Sequence, residues 1–535
     1  MSLGLIDRLF SNTFLSAYIN HRNIYLLGLA FILCGLSWSN AMMSIGQIIL
    51  LCNAVLELNF SKKWASMKSQ PILWVLIGFL ILHFFGLVWS SNLEYGLKDL
   101  RNKLPLIILP LVFTISNPIQ KSEWKLLASI YLSTLFIITL LSLYKLLSIN
   151  GKFEIDKRDL AINISHIRYG LNLCFAIVLV LFDQLSSKTK WVYMGLAVWF
   201  ISALLLFELY SGILIFLVLC FYISFIKLFK SKSKKVILIT NLALIAGIAL
   251  LGSWFYKVQS NYLKTVTPYY NQDIALEKNI NGNTFYHDMK DYRKTNGVYI
   301  RRYIVYPELW KAWNKRSQVE VKSQDKKGHL LEATLVRYLA SKGLTKDSVG
   351  VSQLRNEEIR AIENGIANYK YLNQNKLENR IHDILSEFEM YQSIGYANGY
   401  SLVMRWIYWK TAWHIIKDNI WFGVGTGDVQ DAFKEQYIEE NSQLEEQYRR
   451  RSHNQYLSIW VGLGLIGLLY FIFSLAFPLF YISGKRKTLY LAFFLIVTLS
   501  FLTEDTLETQ AGVTFFAIFN SLLLLGFKNQ DQTSS

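Results

Sequence analysis

Long runs of apolar residues constrain this chain more strongly than any other feature. They recur along all but one stretch of its 535 residues, and their lengths approach the roughly 17–25 residues that cross the hydrocarbon core of a bilayer as a helix. A helix satisfies its own backbone hydrogen bonds, which lipid cannot do. The runs therefore predict an all-α polytopic membrane protein. They exclude an outer-membrane β-barrel, whose strands would be short and would alternate in polarity.

The runs and the polar stretch between them define the predicted organisation. About twelve transmembrane helices are expected, with one large, mostly helical extracytoplasmic loop between the ninth and the tenth. Residues 1–255 form a membrane domain with helices one to nine, residues 256–452 form the loop, and residues 453–535 form a membrane domain with helices ten to twelve. The predicted helices are residues 24–38, 41–58, 71–90, 102–117, 124–147, 166–184, 190–207, 210–229, 235–255, 454–481, 487–503 and 510–527.

The composition supports this class and removes others. Hydrophobic residues make up 53% of the chain and charged residues 17%, against about a quarter charged in soluble proteins, which excludes a purely soluble enzyme and a disordered chain. The formal net charge of +17 would suggest nucleic acid in a soluble protein. Here the positive-inside rule explains it, and no nucleic-acid partner is expected. All four cysteines lie inside apolar runs, which predicts no disulfide framework and no metal-ligand spacing.

Basic residues in alternate connections predict the orientation. Lysine-rich connections alternate with short, neutral or mixed ones, such as the turns at residues 37–40 and 208–211. Because lysine and arginine concentrate on the cytoplasmic side, both termini are predicted to be cytoplasmic and the large loop periplasmic, in a bacterial inner membrane. The first apolar run continues directly into a second, so no cleavable signal peptide is expected. The basic set is Lys62, Lys63, Lys68, Lys121, Lys125, Lys188, Lys190, Lys227, Lys230, Lys232, Lys234, Lys235, Lys485, Arg486 and Lys487.

The large loop carries its own helical pattern. It lacks the Pro-, Gly- and Ser-rich composition of a linker. Its middle, Leu354–Met390, has apolar residues at helical spacing, which predicts a mostly helical cap on the membrane face. The chain has no internal repeat, and its nine-plus-three division lacks the symmetry of many twelve-helix transporters. The positions predicted to be buried are Ile359, Ile362, Ile366, Ile381, Ile384 and Leu385.

A histidine at the outer mouth of the tenth helix is the first candidate for chemistry. His453 stands in Ser-His-Asn-Gln-Tyr-Leu, residues 452–457, and helical spacing would place it on one face with Tyr456, Leu457 and Trp460. An imidazole with a pKa of about 6.5 takes a proton from a hydroxyl at neutral pH. The alternative is an interfacial histidine that caps a helix start.

An arginine and a glycine motif near the end of the loop form the second candidate. Arg405 lies in Met-Arg-Trp-Ile-Tyr-Trp, residues 404–409, a pattern typical of an amphipathic helix in the membrane interface. The segment Phe-Gly-Val-Gly-Thr-Gly-Asp, residues 422–428, would present backbone N–H groups to an anion, although no strand precedes it as in a nucleotide-binding motif. The alternatives are an interfacial anchor for the arginine and a plain turn for the glycines. The later glycines are expected to be helix-packing positions: Gly462, Gly464 and Gly467.

A second arginine opens the sixth predicted helix. Arg168, in His-Ile-Arg-Tyr-Gly at residues 166–170, begins an apolar run that contains no other charge until Asp183. Placing an arginine there costs a few kcal/mol, which favours a partner, and a phosphate suits the guanidinium geometry. The alternative is an anchor at the membrane interface.

Three further groups of charged residues need an explanation. Arg449–Arg451, directly before His453, form either a solvated run or a contact to lipid phosphate. Glu504 and Glu508 share a face at i, i+4 spacing, and a structural pairing with an arginine is favoured over an acid or base role. The third group precedes two prolines and is expected to be a helix entry: Asp99, Arg101 and Lys103.

Several motifs of other enzymes are absent from the sequence. There is no Asp-x-Asp pair for a nucleotide-sugar metal, no P-loop, no serine nucleophile elbow and no zinc pattern. No cofactor and no metal are therefore expected. Nucleotide sugars and ATP would be scarce outside the membrane, so a reaction there needs an activated donor such as a lipid diphosphate.

The order of these motifs resembles the O-antigen ligase and O-antigen polymerase family of bacterial membrane glycosyltransferases. It runs from Arg168, through a large loop that ends in Arg405–Trp409 and Phe-Gly-Val-Gly-x-Gly, to His-Asn-x-Tyr-Leu with a Gly-rich helix. The strongest resemblance covers Arg405–Phe480, and helix count and loop position extend it loosely to the whole chain. Residues 335–350 and the long loop are similar to the Bacteroidetes branch of the family.

This resemblance implies a metal-independent, inverting transfer of a glycan from undecaprenyl diphosphate to an acceptor hydroxyl. It implies that His453 is the general base and that Arg168 and Arg405 bind and neutralise the leaving diphosphate. Preorganised guanidinium groups stabilise such developing charge. Contacts to the diphosphate or the glycan are expected from Arg449, Arg450, Arg451, Asn454, Tyr456 and His166.

The acceptor stays open at this point, because the loop is longer than a plain ligase leads us to expect. It is lipid A–core for a ligase, another lipid-linked repeat unit for a polymerase, or a protein or other polymer, and the family name favours a ligase. Two other classes remain as alternatives. A transporter or flippase predicts charged residues near mid-membrane. A non-catalytic scaffold predicts that alanine at His453 and Arg405 leaves the surface glycan unchanged.

Overall fold

Helices are the dominant secondary structure in the part of the chain that the structure describes. The computed structural model describes residues 20–148, 160–182, 190–230, 234–266, 278–372 and 376–527. The helices before the large loop are α1 (His21–Trp38), α2 (Asn40–Leu56), α3 (Phe60–Lys68), α4 (Pro71–Phe85), α5 (Leu93–Lys103), α6 (Pro105–Ile115), α7 (Lys121–Ser148), α8 (His166–Phe182), α9 (Lys190–Leu206), α10 (Tyr210–Lys230) and α11 (Lys234–Leu263).

The large loop and the C-terminal helices complete the chain. One short antiparallel hairpin lies in the loop, formed by β1 (Lys294–Thr295) and β2 (Val298–Tyr299). The remaining helices are α12 (Tyr306–Arg316), α13 (Leu331–Ser341), α14 (Ser348–Ser352), α15 (Asn356–Glu363), α16 (Lys376–Ile394), α17 (Ser401–Asp418), α18 (Val429–Glu439), α19 (Gln455–Ala476), α20 (Pro478–Tyr481), α21 (Lys487–Thr503) and α22 (Gln510–Leu525).

An apolar helix lies at each of the twelve predicted positions, and this confirms the helical class. By length and composition, two described stretches are able to cross a membrane alone, namely α7 and Gln455–Tyr481. A third is the pair α2 and α3, which is bent by 115°. Several other apolar helices are shorter, so the number of spans and the orientation stay predictions. Residues 183–184 of the sixth predicted helix, and Lys188 and Lys232 of the basic set, lie outside the described residues.

The helix predicted over residues 102–117 is wrong at its start. The chain forms a separate helix, α5, which ends at Lys103, and α6 begins at Pro105. Proline is favoured at the first position of a helix, where its missing N–H is not needed. The side chain of Asn92 caps α5 by accepting a hydrogen bond from the Tyr95 backbone N–H at 3.0 Å. The charged residues before the prolines therefore belong to α5 and are not the entry of a membrane helix.

Helix α8 lies at the centre of the membrane domain. Its residues from Tyr169 to Leu179 are all buried, and the helix contacts α9, α10 and α21. The ring centroid of Phe175 lies 4.1 Å from that of Phe519 on α22. Because protein surrounds α8, its first turn, which carries Arg168, lies at the end of the bundle and not on its lipid-facing side.

The first part of the large loop forms a compact unit with its own hydrophobic core. This unit, residues 278–372, is called the loop subdomain. Its core is built around Trp313 and Tyr338, both fully buried, and includes Ile359 and Ile362 as predicted. The helical pattern over Leu354–Met390 is not one helix, because the chain turns between α15 and α16. The other four positions predicted to be buried are only half-buried: Ile366, Ile381, Ile384 and Leu385.

Hydrogen bonds join the loop subdomain to the end of α11 and to the residues directly after it. The Lys370 ammonium group donates to the backbone carbonyls of Asn261 and Lys264, each at 2.9 Å. The backbone N–H of Val266 donates to the Asn296 carbonyl at 2.9 Å. The chain where it leaves α11 is therefore held beside Lys370, near the exit of the subdomain, and we call this contact the neck. Residues 267–277 and 373–375, which also belong to the predicted loop, lie outside the described residues.

The second part of the loop packs on the membrane domain. Helices α17 and α18 share a hydrophobic core that contains Tyr408, Phe433 and Tyr437, and Val461 of α19 is part of the same core. The arginine motif, the glycine motif and the histidine motif are therefore parts of one packed unit.

Candidate active site

His453 lies just outside α19 and not on a face of it. The helix begins at Gln455, and the backbone of His453 has a φ of 47°, a left-handed conformation that few residues other than glycine adopt. The prediction of one helical face shared with Tyr456, Leu457 and Trp460 is therefore wrong. The imidazole packs instead beside Tyr408 of α17, with ring centroids 5.6 Å apart.

The motif residues after His453 hold the helix start in place. The Asn454 side chain accepts hydrogen bonds from the backbone N–H groups of Tyr456 and Leu457, at 3.0 and 3.2 Å, and so acts as the N-cap of α19. The Tyr456 hydroxyl donates to the Thr498 carbonyl on α21 at 3.3 Å. These contacts give both side chains a structural role, and their predicted substrate contacts stay predictions.

A carboxylate lies between the predicted base and one predicted arginine. Oε1 of Glu504 is 3.5 Å from Nδ1 of His453 and 3.7 Å from a terminal nitrogen of Arg405. The Arg405 contact is an ion pair, and the His453 contact is too long for a good hydrogen bond. Nδ1 of His453 is buried without a hydrogen-bond partner, yet the His453 side chain is 35% exposed. The exposure therefore belongs to the rest of the ring, while Nδ1 faces Glu504.

Arg168 adds its charge to the same place. One of its terminal nitrogens donates to the Ser165 hydroxyl at 2.8 Å, and its Nε is buried without a partner. Burial raises the pKa of Glu504, but the interaction with His453 and the charges of Arg168 and Arg405 outweigh burial and hold that pKa below its usual value. We name Arg168, Arg405, His453 and Glu504 the Glu504 cluster. His166, also predicted at the site, is the first residue of α8.

The three consecutive arginines before His453 have different environments. Arg449 donates to the carbonyls of Leu444 and Ser442 at 2.9 and 3.3 Å. Arg451 pairs with Glu508 at 3.4 Å, and its side chain is 17% exposed. Arg450 is exposed, and no carboxylate among the described residues pairs with it. Of the three, Arg450 is the one whose guanidinium remains available to a ligand.

The glycine motif is inserted into a break in α19. Gly464 has a φ of 66° and a ψ of −168°, which interrupts the helix. The backbone N–H groups of Val424 and Gly425 donate to the carbonyls of Val461 and Gly462, both at 2.9 Å. That of Gly427 donates to the Ser90 hydroxyl at 2.9 Å. Because these groups already have acceptors, the glycines form a packed turn, and an anion-binding role for them is not supported.

The pairing of Glu504 and Glu508 with arginines is confirmed, but their shared face is wrong. A 3₁₀ turn, Thr506–Glu508, separates them, and Glu508 faces a different group of charges. Glu508 accepts from Lys103 at 2.8 Å and from the Gln455 side chain at 3.0 Å. Burial raises its pKa, but Lys103 and Arg451 outweigh burial and hold it well below the usual value.

Sequence reasoning placed the arginines and the histidine but missed the central position of Glu504. A usable signal was present, because Glu504, Asp505 and Glu508 are the only charges between two apolar helices. Among the described residues, no group of three His, Cys, Asp or Glu side chains is placed to hold a metal ion. The cluster therefore offers cations, an imidazole and a carboxylate, a set suited to bind an anion and to move a proton.

Comparison with known families identifies one segment of the chain. Residues 366–472 match the family model described as "O-Antigen ligase". This segment is an O-antigen ligase domain. No curated protein matches the chain. The O-antigen ligase domain contains Arg405 and His453, whereas Arg168 and Glu504 come from membrane segments on either side of it. The candidate site is thus completed by residues outside the matched domain.

Proposed function

We propose that this membrane protein is a glycosyltransferase of the O-antigen ligase type. It moves a glycan from undecaprenyl diphosphate to a hydroxyl of lipid A–core on the periplasmic side of a bacterial inner membrane. One observation carries the proposal: Arg405 and His453 of the O-antigen ligase domain meet at Glu504, and the charge of buried Arg168 acts on the same carboxylate.

The arginines have the properties of a diphosphate site. Arg168 has a buried Nε without a partner, and such a group is costly unless a ligand satisfies it. Arg405 is held only loosely, at 3.7 Å from Glu504. Exposed Arg450 adds a third cation for the same ligand. Guanidinium groups bind phosphate oxygens through two parallel hydrogen bonds, and they stabilise the charge that develops when the diphosphate leaves.

His453 and Glu504 have the arrangement of a base and its orienting carboxylate. Nδ1 faces the carboxylate, so the other ring nitrogen is left to accept a proton. The acceptor oxygen attacks the anomeric carbon, and its proton passes to His453. The bond from that carbon to the phosphate oxygen breaks, and undecaprenyl diphosphate leaves with the bonding electrons. Glu504 then stabilises the imidazolium. Attack opposite the leaving group inverts the anomeric centre, and no step uses a metal.

A complementation experiment tests this function. A deletion strain receives wild type, His453→Ala, Arg168→Ala or Arg405→Ala at matched membrane expression, and surface and lipid-linked glycans are compared on gels. Each variant should lose surface glycan and accumulate lipid-linked glycan. Matched controls are His329→Ala and Arg355→Ala, whose side chains are 68% and 63% exposed on the loop subdomain. Both controls should behave as wild type.

The gel pattern also separates the two members of this reaction class. Without a ligase no glycan is attached to lipid A–core, whereas without a polymerase single repeat units are still attached. The second pattern would move the proposal to a polymerase that joins lipid-linked repeats. Normal transfer by His453→Ala would exclude the general-base mechanism.

A further inference from the structure

Helix α5 lies outside the O-antigen ligase domain, yet the two residues directly before it, Ser91 and the N-cap Asn92, are bound to that domain. The backbone N–H groups of Ser91 and Asn92 donate to the two carboxylate oxygens of Asp428, at 2.8 and 2.7 Å. The Asn92 side chain donates to Asp431 at 2.7 Å. Asp428 is the N-cap residue of α18, and Asp431 lies in its first turn. Helix α18 packs on α17, the helix that carries Arg405.

The last turn of α5 is bound to the other half of the site. Lys103 is 1% exposed, and its ammonium group lies 2.7 Å from both oxygens of Asp99 and 2.8 Å from Glu508. Glu508 in turn binds Arg451 at 3.4 Å and Gln455 at 3.0 Å. His453 lies midway in the chain between Arg451 and Gln455.

This second attachment fixes the backbone on both sides of the histidine. The φ of 47° at His453 is unfavourable for a residue with a side chain, so the surrounding contacts must impose it. Glu508 holds the residue two positions before the histidine and the residue two positions after it. The Ser452 hydroxyl adds a contact to Asp505, at 3.3 Å. The conformation of the histidine therefore depends on the loop that Lys103 anchors.

The buried charges around Lys103 and Glu508 fix the arrangement of the chain as well as contributing to its stability. Asp99 and Glu508 are balanced by Lys103 and Arg451, and the carboxylates are 9% and 6% exposed. Buried ion pairs are often no more stabilising than apolar residues of the same volume, but they fix one arrangement of the chain. At 1.5 Å per residue, the eleven residues of α5 span about 16 Å between the two attachments.

We propose that α5 is a strut that sets the position of His453 relative to Arg405, with Lys103 and Glu508 as positioning residues. The inference rests on the proposed function, in which His453 is the base. It gives Arg451 a positioning role in place of the diphosphate contact expected from the sequence. The Lys103 and Glu508 side chains are only 1% and 6% exposed, and we therefore assign them a positioning role and not a substrate contact.

The test compares Lys103→Met and Glu508→Gln with Lys98→Met, the same change at an exposed position of the same helix. Membranes with equal amounts of each variant receive lipid-linked glycan extracted from the deletion strain, with lipid A–core from that strain as acceptor. Displacement of a catalytic group by about 1 Å costs on the order of 100-fold in rate. We expect turnover of the first two variants to fall 10- to 100-fold, with KM for the lipid-linked glycan changed less than 2-fold. Lys98→Met should match wild type.

A second arm separates positioning from a general loss of structure. The effects of substituting groups that act as a unit do not add up. Lys103→Met should therefore cause no further loss of turnover in a protein that already carries His453→Ala. If Lys103→Met does not fold, the double variant with Asp99→Asn and Lys103→Met is tested in its place, because it removes one charge of each sign. The same loss of turnover is expected from that double variant.

The outcomes distinguish the strut from the proposed function. The strut proposal would be overturned if Lys103→Met had full activity. It would also be overturned if Lys103→Met lowered turnover by the same factor in the wild-type and His453→Ala backgrounds. Full activity of His453→Ala would overturn the proposed function, whatever Lys103→Met does. Loss in His453→Ala with full activity in folded Lys103→Met would leave the function and remove only the strut.

Discussion

Replacing Gly464 by alanine tests the insertion of the glycine motif into α19. A Cβ at this position would lie 2.1 Å from the carbonyl oxygen of Trp421 and 2.4 Å from the backbone nitrogen of Phe422. Both atoms belong to the backbone, so no rotamer change relieves the clash. The conformation itself, with φ at 66° and ψ at −168°, is open almost only to glycine.

The expected cost of Gly464→Ala combines strain and lost hydrogen bonds. Strain of this kind costs about 1–3 kcal/mol. Moving residues 420–425 also breaks hydrogen bonds, such as the 2.7 Å bond from the Leu465 N–H to the Ile420 carbonyl. Each such bond is worth about 0.5–1.5 kcal/mol. With three such bonds lost, the free energy of unfolding should fall by about 3–7 kcal/mol. For a chain of this length that lowers the Tm by about 3–6 °C.

The measurement is thermal unfolding of the detergent-purified protein, followed by tryptophan fluorescence. The control is Gly195→Ala on α9, where a Cβ would meet nothing within 4 Å. Its Tm should equal that of wild type or rise slightly, because alanine favours a helix more than glycine does. Equal Tm values for the two variants would refute the insertion of residues 420–425 into the helix break.

Three other predictions concern the residues around His453. Arg451→Ala should lower stability by about 3–5 kcal/mol because it leaves buried Glu508 short of a partner. Arg450→Ala should keep the Tm and raise KM for the lipid-linked glycan several-fold. Reversed effects would contradict the environments assigned to the two arginines. Asn454→Ala should lower stability by about 1 kcal/mol through loss of the cap, and Asn454→Ser should restore it if the role is capping. Glu504→Gln should lower turnover at pH 7 by roughly 100-fold or more. Because the pKa of Glu504 is lowered, its ionised form stabilises the fold above the ordinary value of 4.5, and this contribution disappears as pH falls through the lowered pKa. Wild type should therefore have the higher Tm at pH 7, with the difference shrinking in acid; a constant difference would count against the charge interactions.

The apolar helices could be predicted because lipid removes most alternatives. A long apolar run has no other way to satisfy its backbone groups within the membrane. The order of Arg168, Arg405 and His453, at three helix mouths or loop ends, also indicated one site. In the structure Arg405 and His453 contact Glu504, and the charge of Arg168 acts on the same carboxylate; their catalytic roles stay predictions.

The local geometry could not be predicted, because it depends on contacts distant in sequence. Helical spacing extended α19 back to His453, but the Asn454 cap starts the helix after it. Spacing also put Glu504 and Glu508 on one face, but a tight turn sends them to different partners. Lys103 looked like a helix entry, and only its partner some 400 residues later reveals its role. Such pairings leave no periodic pattern.

The neck of the loop subdomain has a consequence for how this chain tolerates change in length. Because Lys370 ties the exit of the subdomain to the end of α11, both ends of the inserted segment are fixed at one point. A chain can be lengthened at such a point with little effect on the rest of the fold, since the entropy of closing a loop grows only slowly with its length. Evolution could therefore enlarge, shrink or exchange the subdomain while α17, α19 and the Glu504 cluster kept their places. The same property makes the neck the natural junction for a fluorescent or affinity domain that reports on this protein without disturbing the rest of the fold.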